Sequence, residues 1–104
     1  MSAAFRRVVS SEAMADFPRR EHAYHQSGLQ FVNAELDTGL TFARIALGAK
    51  GRAKIDRNRM NARKAYDSAL HFLPSTSLNA EESRGVNEKF ATLKSNLEQL
   101  GETF

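Results

Sequence analysis

Residues 18–50 place apolar side chains in two separate stripes of one helix. Projected at about 100° per residue, Leu29, Val32, Leu36, Leu40, Ala43 and Leu47 form one line, and Tyr24, Phe31, Phe42 and Ile45 form another. Gly28, Gly39 and Ala46 lie between them, while Gln26, Gln30, Asn33, Asp37, Thr41 and Arg44 make the polar face. A surface helix needs only one apolar arc of about 100°. This helix is therefore expected to be covered on two sides, and its small residues predict a neighbouring helix at close approach. That demand constrains the rest of the chain.

The remainder supplies helices to meet it. The only prolines are Pro18 and Pro74, and strong helix formers fill the chain between and after them. Gly48 and Gly51 should end the first helix. A second, from about 53 to 73, has a core stripe of Ile55, Ala62, Tyr66, Ala69 and Leu73, with Leu70 at its edge and Pro74 as its stop. Asn79 followed by Glu82 is a capping-box pattern that opens a third helix. Val86, Phe90, Leu93, Leu97 and Leu100 then recur at spacings of four, three, four and three, and Gly101 closes it. Gly85, costly inside a helix by about 1 kcal/mol, is read as a point of close packing.

The expected fold is all-α, an antiparallel three-helix bundle over 18–104. At about 1.5 Å per residue its first helix is roughly 45 Å long and the others nearer 30 Å. Residues 1–17, with Phe5, Val8, Val9, Met14 and Phe17, form a segment suited to a short fourth helix over the excess. A second copy of the chain would serve the same need.

Several function classes have no footing in the composition. There is no cysteine, so disulfides, thiolate metal sites and cysteine nucleophiles are excluded. No apolar run reaches the length of about 18–20 residues that a membrane span needs, and the arginine-bearing start lacks the apolar core of a secretory signal. A cytoplasmic protein is expected, with no membrane partner. His22 and His25 share a helix face, but His71 belongs to another helix and no Glu-x-x-His pair exists; neither metal nor cofactor is expected. No nucleophile elbow, phosphate-binding glycine loop or zinc-protease motif occurs, so a non-catalytic protein is expected.

Three resemblances bear on function. Ala62, Tyr66, Ala69, Leu70 and Pro74 resemble the second helix of a tetratricopeptide repeat, which would imply peptide binding. The offsets of that family's companion helix fall on Ala46, Ala49, Lys50 and Ala53, and no second repeat follows. "ARKAYDSALHFL" is also similar to the second helix of a microtubule-interacting-and-trafficking (MIT) domain, a three-helix bundle whose groove takes a partner helix or peptide. Arg63 and His71 resemble, more distantly, the arginine–histidine pair of helical HEPN ribonucleases, though seven residues separate them.

The remaining signal is charge. Lys50, Arg52, Lys54, Arg57, Arg59, Arg63 and Lys64 accompany a single acid, Asp56. On the projection Lys54, Arg57 and Lys64 point away from the core, and Arg52, Arg59 and Arg63 flank it. The outward set would suit phosphates by counterion release; a solvated face, partly neutralised by Glu81, Glu82 and Glu88 of the third helix, is the plainer reading. The expected function is a helical interaction module, self-associating or holding a partner helix. Tyr24, Phe31, Phe42, Ile45 and Phe72 are its candidate contacts, and Lys54, Arg57 and Lys64 are candidate contacts for an anion or nucleic acid.

Overall fold

The computed structural model describes the backbone of residues 17–104 and the side chains from Ser27 onward. Those residues form three α-helices and no strand: α1 (Phe17–Gly48), α2 (Arg52–Phe72) and α3 (Ala80–Gln99), with a 3₁₀ turn at Leu73–Ser75 after α2. The candidate contact Tyr24, the His22/His25 pair and the proposed fourth helix lie outside the described side chains or residues.

Contacts fix the topology. Gly28 faces Thr76, Phe31 touches Phe72, and Gly39 faces Ala62 and Ala65. The paired numbers run in opposite senses, so α1 and α2 are antiparallel. Asn33 and Asp37 meet Lys89, and Gly39 meets Leu93, so α3 runs parallel to α1. The chain goes up, down and up, and α3 leans mainly on α1.

The core is Val32, Leu36, Ala43 and Ala46 of α1, Ala62, Ala65, Tyr66 and Ala69 of α2, and Val86, Leu93 and Leu97 of α3. On α1 the inner line is thus Val32, Leu36, Gly39, Ala43 and Ala46, the spacing of a bundle seam. Small residues meet across the α1–α2 contact. A Cβ added to Gly39 would lie 3.2 Å from Ala65 Cβ and 2.6 Å from Leu93 Cδ2, so both neighbours pack directly on its backbone.

Two expectations about the core need correction. Leu47 is 43% exposed whereas Ala46 is 2% exposed. In the register that sets Gly39 against Leu93, Leu47 would face residue 101, where α3 has already ended. Gly85 has nothing within 4 Å of an added Cβ and is exposed, so it marks no close packing. A buried polar residue, Asn58, joins the inner face of α2 and satisfies its amide by donating to Lys54 O at 2.8 Å.

Local chemistry sets the ends. Gly51 caps α2 without a side-chain bond. Pro74 has no N–H to continue α2, and Ser75 Oγ and Thr76 Oγ1 both donate to Phe72 O. At α3 the Glu82 N–H donates to Asn79 Oδ1 at 2.8 Å and the Asn79 N–H to Glu82 Oε1 at 3.0 Å, the reciprocal capping box. Beyond Leu100, Gly101 adopts φ +99°, and the N–H groups of Gly101 and Glu102 donate to Glu98 O and Leu97 O. That Schellman arrangement turns the tail back across α2.

Candidate interaction surface

The two flanks of α2 differ in how their charges are used. The flank toward α3 is closed. Glu102 of the returning tail lies between Arg59 and Arg63, with Arg63 Nη1 donating to Glu102 Oε1 at 3.0 Å and to Thr103 O at 2.8 Å. Arg63 Nε donates to both carboxylate oxygens of Asp67. Arg63 Cζ sits 4.1 Å from the centroid of the Phe104 ring, a cation–π distance, and Phe104 and Phe90 each pack against Tyr66. Arg59 Nε is enclosed and 3.5 Å from Glu102 Oε2, a charge contact without hydrogen-bond geometry. Arg59 and Arg52 also approach Asp56.

Burial opposes the charge on Arg63. The hydrogen bonds and charges of Asp67 and Glu102 outweigh it and hold the guanidinium further toward its charged form. The acids paired with Arg52, Arg59 and Arg63 on this flank are Asp56, Asp67 and Glu102; the expectation named acids of α3, among them Glu81 and Glu88. The tail was not anticipated as a partner. Its only sequence sign is a glycine followed by an acid and an aromatic after a heptad seam.

Among the described residues the opposite flank is open. Phe31 and Phe72 meet edge to face, centroids 4.6 Å apart, while remaining 38% and 46% exposed. His71 also meets Phe72 edge to face. Phe42 is half-buried against the core, and Ile45 is 39% exposed. The phase of α1 sets Phe31, Glu35, Thr38, Phe42 and Ile45 along one line beyond the α2 contact. On α2 the phase of Phe72 is shared by Ser68, Lys64, Asn61, Arg57 and Lys54. The expected apolar contacts Phe31, Phe42, Ile45 and Phe72 and the expected basic contacts Lys54, Arg57 and Lys64 therefore lie on one face, formed by α1 and α2 and turned away from α3. Lys54, Arg57 and Lys64 are exposed and take part in no ion pair among the described residues.

Other groups do not converge. Arg63 turns to the tail and His71 to Phe72, about 12 Å apart along the axis of α2, so the ribonuclease-like pair is not assembled. Among the described residues no cluster of three or more His, Asp or Glu is placed to hold a metal, and no helix is long and apolar enough to cross a membrane. A shallow depression lined by Ala80, Ser83, Arg84, Asn87, Glu88 and Ala91 lies along one side of α3 alone, with no second wall to enclose a ligand. No family model, curated protein or solved structure matches the chain.

Proposed function

We propose that the protein is a non-catalytic, cytoplasmic helical interaction module that holds a partner on the face shared by α1 and α2. The observation carrying this reading is the Phe31–Phe72 pair, in line with Phe42 and Ile45 on a two-helix surface that α3 does not cover. A strip of large apolar groups between two antiparallel helices is the form of a helix-accepting groove. Exposed apolar patches on soluble proteins mark interaction sites. The basic row supports a second reading, nucleic-acid binding. It is the weaker one, because the aromatic rings pair with each other or with the core and do not alternate with Lys54, Arg57 and Lys64 as stacking platforms.

The test is a photo-crosslinking residue placed at Ile45 in source cells, with Thr92 on the outer side of α3 as the comparison site. A protein adduct at Ile45, absent at Thr92 and lost with Phe72→Glu, is expected. Equal labelling at both sites, or none at Ile45, sinks the proposal.

A further inference from the structure

We infer that the occupant of the α1–α2 face is an amphipathic helix with a row of acidic residues along one flank. The inference rests on the interaction reading above and adds the chemistry of the partner.

The cations of α2 fall into two sets. On the side toward α3, Arg52, Arg59 and Arg63 all meet carboxylates, from Asp56, Asp67 and Glu102. On the open side Lys54, Arg57 and Lys64 meet none among the described residues, although they recur along the helix on the same flank as Phe72. The arrangement of the open face is asymmetric: apolar groups on α1 and at Phe72, cations along α2, and a single acid, Glu35, on the α1 side. A docked helix that seats its apolar side between Phe31, Phe42, Ile45 and Phe72 lays one flank along that row of cations. Acidic residues there complement it, whereas basic residues are repelled.

The dimensions fit. From the Phe31–Phe72 pair to Ile45 the strip runs about 21 Å, or four helical turns. A helix of that length places apolar residues at i, i+4, i+7 and i+11.

A second copy of this chain is a poorer occupant. Two such faces joined about a two-fold axis would bring two cationic rows into one interface. The outer side of α3 contributes no large exposed apolar residue.

The experiment is a selection of displayed amphipathic helices of about sixteen residues, apolar positions fixed as leucine and flanking positions varied among Glu, Gln and Lys. The bait is the full chain, as wild type, as K54E/R57E/K64E and as Phe31→Ser/Ile45→Ser. All substituted side chains are exposed, and helical content and melting are checked for each variant. The wild type should recover helices with Glu on one flank. The charge-reversed variant should recover Lys there and bind the best Glu-bearing helix about tenfold or more weakly. The serine variant should recover neither.

Helices recovered without charge preference overturn the acidic flank and leave the docking face standing. Equal recovery by the serine variant overturns the docking face itself. A salt-sensitive shift of RNA or DNA with no helix recovered overturns both in favour of nucleic acid. A dimer seen by light scattering and dissolved by Ile45→Ser overturns the inference in favour of a second copy.

Discussion

Gly39 and Leu93 stand so close that the smallest possible side chain at residue 39 would reach within 2.6 Å of Leu93 Cδ2. The first prediction follows from this contact. Gly39→Ala gains about 1 kcal/mol of helix propensity, but its methyl forces Leu93 aside and presses on Ala65 Cβ and the Ala62 carbonyl at 3.2 and 3.4 Å. Overpacking of this kind costs about 1–3 kcal/mol, so a net loss is expected in urea unfolding. Leu93→Ala alone should cost about 2–5 kcal/mol. The double variant should lose less than the two single losses summed, because the clash disappears with the leucine; strict additivity would deny the contact.

Gly85 gives the opposite sign. It is exposed inside α3, with open space where a Cβ would stand. Gly85→Ala should raise stability by about 1 kcal/mol, seen as a higher urea midpoint with an unchanged slope. A decrease would mean that the position has a neighbour after all.

Gly101 tests the turn that returns the tail. Its φ of +99° disfavours a residue with a Cβ, by about 1–2 kcal/mol. Gly101→Ala should lower stability by that order and loosen Glu102 and Phe104 from α2. The check is loss of nuclear Overhauser contacts between the Phe104 and Tyr66 rings.

Arg63 holds the tail through a fork that lysine lacks. Arg63→Lys should keep part of the charge attraction to Glu102 and Asp67 but lose the paired bonds to Glu102 and Thr103 and the flat contact on Phe104. About 1–2 kcal/mol is expected for Arg63→Ala and less for Arg63→Lys. The guanidinium is held above its ordinary value, so its stabilising charge is fully present below the unfolded-state value and is lost only above the folded one. Raising the pH from about 7 to 9 should therefore leave the Phe104–Tyr66 contact intact. Loss of that contact over this range would place its control on another group.

Much of the fold was legible because its signals are local. Asn79 and Glu82 satisfy each other three residues apart, and Val86, Leu93 and Leu97 follow a seam that needs only helical geometry. Gly39 could be read as a site of close approach because it lies between two apolar stripes. Leu47 and Ala46 could not be told apart in the same way. Neighbours on one helix, they differ in burial because α3 ends before it reaches Leu47, and that depends on register between distant segments. The candidate surface shows the same division. Exposure of Lys54, Arg57 and Lys64 followed from phase alone. That they share a face with Phe31 required the antiparallel pairing of α1 and α2. The docking of Glu102 on Arg59 and Arg63 joins positions about forty residues apart, and no spacing rule reaches so far.

That long-range clasp also bears on the order in which the bundle assembles. The α1–α2 hairpin closes over a short connection, so its contacts form at small entropic cost. The clasp forms only after α3 has docked and Gly101 has turned. It is expected on the native side of the folding barrier, where an interaction leaves the rate of folding almost untouched and slows its reversal. The final residues of the chain thus act as a brake on unfolding, and a protein relieved of Arg63 would fold as quickly as before but remain folded for a shorter time.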